Sequence, residues 1–375
     1  MRNSNSSPDW QKVKLGDVSL LNPTVSLRKE EKYSFIPMED LGWNKKYALG
    51  NKLKAYKGGA KFEEGDILFA RITPCLENGK MGRARELKDG KGFGSTEYFI
   101  IRGKANISDT NYLYYLARLN NLRQTAINSM LGASGRQRAD IDSLQNYEFY
   151  LPDFNQQQKI ASILSLFDDK IELNNKIAKT LEDMASAIFK EWFLKKVKNE
   201  KLKVKSEKIK DIAFVKTGNR PGKLKEKKEN DFTVPVYGAR EIMGYTNKSL
   251  YNQKIIITGR VGTIGEVYLV DGYSWPSDNA LIIYPRNDDY FYLLYFLAKK
   301  INYLSLNRGS SQPLIAQSDI ENYLIDLPNE IKIKEFNTLV SKLFILKNNK
   351  ENENQKLAQM RDLLLPKLMK GEIKV

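Results

Sequence analysis

Glycine-rich loops that also carry arginine, glutamine, serine and threonine are the segments of this chain best suited to chemistry. Glycine lets a backbone approach a ligand closely. An arginine guanidinium matches guanine O6 and N7, glutamine matches adenine N6 and N7, and lysine or a hydroxyl can hold a phosphate. These loops therefore predict contact with nucleic acid. The residues that we expect to bind DNA are Arg71, Thr73, Lys80, Arg83, Arg136, Gln137, Arg138, Arg220, Lys223, Arg240, Arg260, Arg308, Ser310 and Gln312.

The repetition of these loops in both halves of the chain is the main argument for a shared function. Residues 132–138 read GASGRQR, and residues 308–312 read RGSSQ. A solvated loop that binds nothing is an ordinary alternative for any single residue. It explains the recurrence at corresponding places less well.

The charge balance also indicates a polyanionic partner. The 375 residues include 61 Lys and Arg against 45 Asp and Glu, a formal net charge of +16. Nucleic acid is the commonest polyanion for a protein of this kind. The alternative is a lysine-rich surface without a ligand, and we interpret the lysine run from Lys195 to Lys210 in that way, as a solvated linker.

Several classes of active site are disfavoured by composition. The chain has no histidine and a single cysteine, Cys75, which removes Ser-His-Asp and Cys-His arrangements and most zinc sites. No GxxxxGK[ST] loop occurs, and the glycines of residues 259–265 do not have dinucleotide-binding spacing. We interpret the acidic pairs Asp168-Asp169 and Asp288-Asp289 as a helix face and a helix start. The expectation is a non-catalytic chain without a metal or a cofactor of its own.

The same features favour the cytoplasm. No apolar run approaches the roughly 20 residues of a membrane helix. The first ten residues, MRNSNSSPDW, do not resemble a signal peptide. A single cysteine excludes an internal disulfide framework.

An internal duplication organises the chain. Residues 145–152 read QNYEFYLP and residues 321–328 read ENYLIDLP, so the phrase recurs in the second half. Each copy precedes a long stretch with a heptad pattern, which predicts two long helices. Asn174 and its counterpart Lys350 make both patterns polar at mid-length. The expected coiled-coil positions are Ile160, Leu164, Phe167, Ile171, Asn174, Leu181, Ile188, Phe336, Val340, Leu343, Leu357 and Leu364.

An apolar helix stripe must be buried against a partner. The economical partner for each helix is the other copy, and an internal two-fold relation would make the pair antiparallel. The alternative is that each helix packs only on its own domain. The globular parts mix strand-like runs, such as residues 254–258, with one convincing helix each, so the fold class is α+β.

The chain resembles the specificity subunits of type I restriction–modification systems over almost its whole length. The segments that carry the resemblance are residues 65–80, residues 257–265, the Leu-Pro and Gln-Gln-Gln-Lys-Ile entry to the first helix, and residues 365–372. The resemblance implies two mixed α/β target recognition domains, joined by two long helices that form an antiparallel coiled coil. The implied boundaries are 1–150 for the first recognition domain, 151–200 for the first helix and linker, 201–328 for the second recognition domain, and 329–375 for the second helix.

The resemblance also implies the function and the partners. Each domain would read one half of a bipartite sequence in double-stranded DNA, and the helices would act as a ruler for the unread gap. The subunit would hold two modification subunits, which methylate adenine with S-adenosylmethionine, and two motor-nuclease subunits, which use ATP and magnesium. The second helix is more polar between Lys347 and Asn354, so that stretch either packs loosely or contacts a partner subunit.

Two other functions remain as alternatives. A one-chain nuclease would need an acidic metal cluster, which the sequence does not reveal. A stand-alone DNA-binding protein or a coiled-coil adaptor would need no partners of the restriction type.

Overall fold

Two units make up the structure. The computed structural model describes residues 10–133, 135–195, 205–327 and 329–375. Unit 1 comprises Met1–Lys176 and Lys350–Val375, and unit 2 comprises Ile177–Asn349. Each unit therefore includes part of both long helices, whereas the boundaries expected from the sequence separate the helices from the globular parts.

Part of the sequence pattern falls outside the described residues. Residues 196–204, which form most of the lysine run expected to be a linker, are among these, as are Ser134 and Pro328 of the repeated pattern.

Two of the helices are much longer than the rest. The α-helices of the described residues are α1 (Leu15–Val18), α2 (Thr110–Arg118), α3 (Asn120–Asn128), α4 (Ile141–Gln145), α5 (Phe154–Phe189), α6 (Ile209–Ile212), α7 (Phe291–Ala298), α8 (Gln317–Glu321) and α9 (Glu330–Met369). A π-helical turn over Lys190–Lys195 follows α5, and short 3₁₀ turns cover Met38–Asp40, Lys88–Gly90, Asp288–Tyr290 and Tyr303–Leu306.

The strands of unit 1 form three sheets. An antiparallel pair joins β1 (Gln11–Lys14) to β11 (Glu148–Leu151). A five-stranded sheet has the order β2 (Ser19–Leu21), β10 (Tyr98–Gly103), β7 (Ile67–Ala70), β8 (Met81–Arg85), β4 (Tyr47–Leu49). A four-stranded sheet has the order β5 (Leu53–Ala55), β3 (Lys32–Ile36), β9 (Lys91–Gly94), β6 (Ala60–Glu63).

The strands of unit 2 repeat this plan with one strand fewer in the larger sheet. The antiparallel pair joins β12 (Lys205–Lys208) to β21 (Leu324–Leu327). One four-stranded sheet has the order β13 (Ala213–Thr217), β20 (Ala280–Pro285), β17 (Ile255–Gly259), β18 (Val267–Val270). The other has the order β15 (Ile242–Thr246), β14 (Val234–Tyr237), β19 (Tyr273–Pro276), β16 (Tyr251–Asn252).

The central strands β7 and β17 are apolar over most of their length because both faces of each sheet are covered. Ile67 and Phe69 pack into one core cluster, and Leu68 packs into a second one. Ile256 and its neighbour Ile255 divide between two clusters in the same way. Successive side chains of a strand point to opposite faces, so a continuous apolar run is expected for a strand buried on both sides.

The long helices pair antiparallel in unit 1. Asn174 Nδ2 donates to Asn354 Oδ1 at 3.0 Å. Arg361, further along α9, bonds Asp168, which lies further back along α5. Increasing residue numbers on α5 thus meet decreasing numbers on α9.

The same order is found in unit 2. Glu182 of α5 contacts Lys347 of α9 at 3.3 Å. Phe189, further along α5, packs against Phe336, which lies nearer the start of α9. This confirms the predicted fold class, with two mixed α/β domains and two long antiparallel helices.

The buried stripe of the helices deviates by one residue from the heptad pattern. All twelve expected coiled-coil positions are buried or half-buried, but Asp168 is more deeply buried than Phe167. Phe344 is likewise more buried than Leu343. A straight helix repeats every 3.6 residues and drifts from a strict seven-residue pattern. The assignment of the twelve residues to a coiled-coil seam stays a prediction.

Candidate nucleic-acid interface

In unit 1, the loop after β7 is hydrogen-bonded to the glycine-rich loop of residues 131–138. The Thr73 amide donates to the Gln137 carbonyl at 3.0 Å, and the Ala139 amide donates to the Arg71 carbonyl at 2.8 Å. The Arg71 amide donates in turn to the Glu97 carbonyl at 3.0 Å. These bonds fix the start of one predicted DNA-binding loop against the end of the other.

Unit 2 contains the same arrangement. The Gly262 amide donates to the Pro313 carbonyl, and the Ile315 amide donates to the Arg260 carbonyl, both at 2.9 Å. The Arg260 amide donates to the Asn279 carbonyl at 2.8 Å. Each of these three bonds has its counterpart in unit 1, in the same order. The repeat preserves how the loops are joined as well as their composition.

Arg71 and Arg260 occupy equivalent positions, directly after β7 and β17. The Nε atom of each is buried without a hydrogen-bond partner among the described residues. The Arg71 guanidinium lies 4.7 Å from the Phe99 ring centroid. It also lines a cavity of about 400 Å³ together with Lys61 and Asn22. An unpaired buried donor is costly, so an acceptor from a ligand would improve the energy of this site.

Arg138 is held by a carboxylate in unit 1. Its Nε and one terminal nitrogen donate to Glu97, with the shortest contact at 2.7 Å. This hydrogen bond, followed by charge attraction, raises the pKa of Arg138. The pair is solvent-exposed at the arginine, so the guanidinium can exchange Glu97 for another anion at small cost.

Arg308 has a comparable partner in unit 2. Its guanidinium bonds Asp319, which also accepts a hydrogen bond from the Ala316 amide at 2.9 Å at the start of α8. Both units therefore place one arginine of the glycine-rich loop against a carboxylate. The acid comes from a different element in each unit, after β9 in unit 1 and from α8 in unit 2.

The remaining loop residues of the predicted set lie near these arginines in sequence. Arg136, Ser310 and Gln312 are exposed, and Gln137 is half-buried. Thr73 Oγ1 contacts Met130 Sδ at 3.6 Å. The structure thus brings Arg71, Thr73 and residues 136–138 together in unit 1.

Lys80 lies at the end of the loop after β7, and four further predicted DNA-binding residues lie in other elements. Lys80 Nζ donates to the Met38 carbonyl at 3.3 Å. Arg83, on β8, bonds the Gly65 carbonyl and Asn111, and burial lowers its pKa. Arg240, in the turn between β14 and β15, contacts Glu266 at 3.4 Å. Arg220 and Lys223 are exposed in the loop after β13. Their roles in DNA binding stay predictions.

Two residues of this interface, Glu97 and Asp319, are not predicted from the sequence. Glu97 lies just before β10, far along the chain from Arg138, and Asp319 lies in α8, beyond the loop that carries Arg308. A site for an anionic partner is expected to be poor in acidic residues, so neither carboxylate was expected there. No local pattern would have connected these carboxylates to the arginines.

Two further findings concern the described residues as a whole. Within residues 10–133, 135–195, 205–327 and 329–375, no three Cys, Asp or Glu side chains are grouped to hold a metal ion. None of the helices in that part of the chain is long and apolar enough to cross a membrane.

Comparison with known proteins identifies relatives of both repeats. Residues 8–183 and 201–360 match the family model described as type I restriction modification DNA specificity domain. The MjaIX specificity subunit of Methanocaldococcus jannaschii is 28% identical over 353 residues, covering 84% of this chain and 79% of that protein. The HindI specificity subunit of Haemophilus influenzae is 31% identical over 195 residues, covering 50% of this chain and 41% of that protein.

A solved structure shares the fold. The S subunit of a type I restriction–modification system from M. genitalium superposes with a TM-score of 0.56. The alignment covers 98% of each chain at 17% sequence identity. At this level of identity the similarity supports the fold alone.

Proposed function

The chain belongs to the type I restriction modification DNA specificity domain family, and from this premise we propose that each unit reads one half of a two-part DNA sequence. The observation that carries the proposal is the pair of hydrogen-bonded loops found in both units, with Arg71 and Arg260 at equivalent positions. A duplicated reader suits a target with two separate half-sites. The net charge of +16 supports affinity for the phosphates between and around them.

The long helices α5 and α9 are proposed to set the gap between the half-sites. They contain 36 and 40 residues, which corresponds to roughly 54 and 60 Å at 1.5 Å per residue. Their antiparallel pairing within each unit supports a stiff connection. A spacer of this kind would explain a fixed number of unread base pairs.

The same helices are proposed to hold the partner subunits. Both helices expose leucine side chains, and Leu166 and Leu363 are each 70% accessible. Contiguous exposed apolar patches commonly mark protein interfaces, and we propose that these leucines belong to such patches. The proposed partners are modification subunits, which use S-adenosylmethionine, and motor-nuclease subunits, which use ATP and magnesium. In this proposal the chain contributes recognition and assembly, while catalysis belongs to the partners.

Sequencing of methylated adenines in cells that carry the complete operon tests the proposal. Arg71→Ala with Arg138→Ala should relax only one half-site, and Arg260→Ala with Arg308→Ala should relax only the other. Each lost base contact should cost about 1–3 kcal/mol of discrimination. The gap between the half-sites should stay the same in both variants.

A matched control is Arg28→Ala, because Arg28 is an exposed arginine of unit 1 outside the two loops. It should leave the methylation pattern intact. A pattern that is unchanged in both double variants, or that changes in both half-sites at once, would contradict the assignment of one half-site to each unit.

A further inference from the structure

A segment of unit 1 has almost no counterpart in unit 2. In unit 1, residues 37–52 connect β3 to β5, which pair antiparallel. In unit 2, the equivalent strands β14 and β15 are connected by residues 238–241. The connection of unit 2 is thus a tight turn, whereas that of unit 1 is long enough to contain a strand of its own.

The long connection of unit 1 covers a sheet edge. Its strand β4 pairs parallel with β8 and becomes the fifth strand of that sheet. Lys46 Nζ donates to Ser165 Oγ at 2.7 Å, and the Tyr47 hydroxyl donates to Asp169 at 3.0 Å, with both acceptors on α5. The segment therefore bridges the edge of the sheet and the long helix.

The corresponding surface of unit 2 remains uncovered by the described residues. The strand β18 is the last of its sheet. On α9, Ser341 and Ile345 stand at the positions of Ser165 and Asp169. Ile345 is 53% exposed. The matching Asp169 has a similarly exposed side chain, at 53%, but its carboxylate accepts a hydrogen bond from Tyr47.

An arginine that makes polar contacts near this sheet edge in unit 1 has no counterpart in unit 2. Arg83 pairs with Ile67 in unit 1, and Leu269 pairs with the equivalent Ile256 in unit 2. The Arg83 guanidinium bonds the Gly65 carbonyl and Asn111 at the start of α2. A leucine at this place has no group that could make these polar contacts.

A cavity of about 520 Å³ lies in unit 2 beside the start of α7, which corresponds to α2. Asp288, Asn337 and Ser341 line it and supply oxygen acceptors. Lys254 also lines it and lies 5.9 Å from the Tyr292 ring centroid. The cavity therefore offers hydrogen-bond acceptors together with one cationic donor, which suits a polar side chain better than an apolar one.

We propose that β18 accepts a fifth strand from an extended segment of a partner protein. The segment would run parallel to β18, as β4 runs parallel to β8. It would place an aliphatic or aromatic side chain over Ile345 and a long amide side chain, such as glutamine, in the cavity. Main-chain hydrogen bonds supply affinity in this mode of binding, and side-chain pockets supply selectivity. The inference rests on the proposed function, since the partner is a subunit of the same complex.

Hydrogen exchange measured by mass spectrometry tests the proposal on the full chain, alone and in the complex assembled with its own partner subunits. Among residues 267–271, the amides that face away from β17 should exchange about tenfold more slowly in the complex, because a new strand would accept hydrogen bonds from them. The equivalent strand β8 (Met81–Arg85) already has a strand on each side, β7 and β4. Its amides serve as an internal control and should not change.

Two matched variants separate docking from folding. Ile345→Lys should remove most of the protection of β18 and weaken assembly by about tenfold, because a charge would replace an apolar contact. Asn348→Lys is the control, since Asn348 is an exposed polar position of the same helix and the variant adds the same charge without removing an apolar side chain. Both should unfold at the same temperature as the original chain.

The outcomes distinguish this proposal from the proposed function. Unchanged exchange of β18 in a complex that methylates DNA normally would overturn the proposal and leave the proposed function in place. Slow exchange of β18 already in the isolated chain would overturn it as well. Failure of the unmodified chain to assemble with its partners would refute the proposed function, and this inference with it.

Discussion

The helix pair meets the globular part through buried charges in unit 1 and through aromatic rings in unit 2. In unit 1, Arg361 on α9 bonds Asp168 on α5 at 2.5 Å, and both side chains are at most 2% exposed. The Tyr115 hydroxyl of α2 donates to the same carboxylate at 2.6 Å. An arginine of α2, Arg118, lies 3.7 Å from Asp362.

The equivalent positions of unit 2 are apolar. Phe344, Ala185 and Phe296 stand where unit 1 has Asp168, Arg361 and Tyr115. Phe296 stacks on Phe189 at 5.3 Å between ring centroids, and the Phe344 ring centroid lies 5.7 Å from that of Tyr295. These residues belong to one core cluster of unit 2.

The difference shows that the same contact between the helix pair and the globular part can be made by a buried ion pair or by packed aromatic rings. Removal of two ions from water costs about as much as their mutual attraction returns, so a buried ion pair adds little net stability over an apolar pair of similar volume. A buried ion pair does require both of its residues, because either ion buried without the other is strongly unfavourable. The aromatic cluster derives its stability from buried area and tolerates small changes in geometry.

The largest expected effect is the loss of one member of the ion pair. Arg361→Ala should lower the free energy of unfolding of unit 1 by about 3–5 kcal/mol, because Asp168 is left buried and unpaired. Urea denaturation is monitored by hydrogen exchange of the amides in α2 and in α7, which reports the unfolding of unit 1 and unit 2 separately. A loss of less than about 1 kcal/mol in unit 1 would contradict a fully buried ion pair.

A smaller loss of stability is expected in unit 2 when the pH is lowered. Burial raises the pKa of Glu182, but the bonds from Lys299, Lys347 and Tyr295 outweigh burial and lower it to about 2. This pKa lies below the ordinary value of 4.5. The ionised Glu182 therefore contributes fully to the free energy of unfolding of unit 2 above pH 4.5, and the contribution is lost as the pH falls towards 2. It should amount to about 2 kcal/mol, allowing for partial exposure.

Glu182→Gln separates this carboxylate from others that titrate in the same range. The stability difference between the original chain and the variant should shrink between pH 5 and pH 2.5. The measurement is the urea midpoint of unit 2 at each pH. A difference that stays constant with pH would show that Glu182 has an ordinary pKa.

The smallest expected change comes from making unit 1 resemble unit 2. The triple variant Asp168→Phe, Arg361→Ala and Tyr115→Phe installs the residues found at Phe344, Ala185 and Phe296. Its unit 1 should be as stable as the original or more stable by about 1 kcal/mol, since apolar replacement of a buried ion pair is often neutral or favourable. The same denaturation experiment applies, and a loss as large as that of Arg361→Ala would refute the comparison.

Some elements could be predicted because their signals are local or repeated. The heptad spacing of apolar residues predicted α5 and α9, and the strand-like run at residues 254–258 predicted the central strand of unit 2. The phrase shared by residues 145–152 and 321–328 indicated two copies of one unit. Each of these patterns is written in neighbouring residues or in a comparison of one stretch with another.

Other features depend on residues that are distant along the chain. Asp168 was interpreted as part of an ordinary helix face, yet it is buried because Arg361, on the other long helix, neutralises it. Arg83 was expected in a DNA-binding loop, yet it lies on β8 and bonds Gly65 and Asn111. Burial of a charge is decided by the partner that reaches it, and sequence spacing does not reveal that partner.

The sequence by itself determined the duplicated plan, the two long helices, the basic character and the recurrence of glycine-rich loops, because composition and periodicity are properties of the chain. Only the tertiary structure decided that Glu97 and Asp319 hold two of the loop arginines. It also decided that the described residues cover the edge of β8 and leave that of β18 open. Those outcomes depend on which distant side chains and strands meet, and such meetings follow from packing in three dimensions.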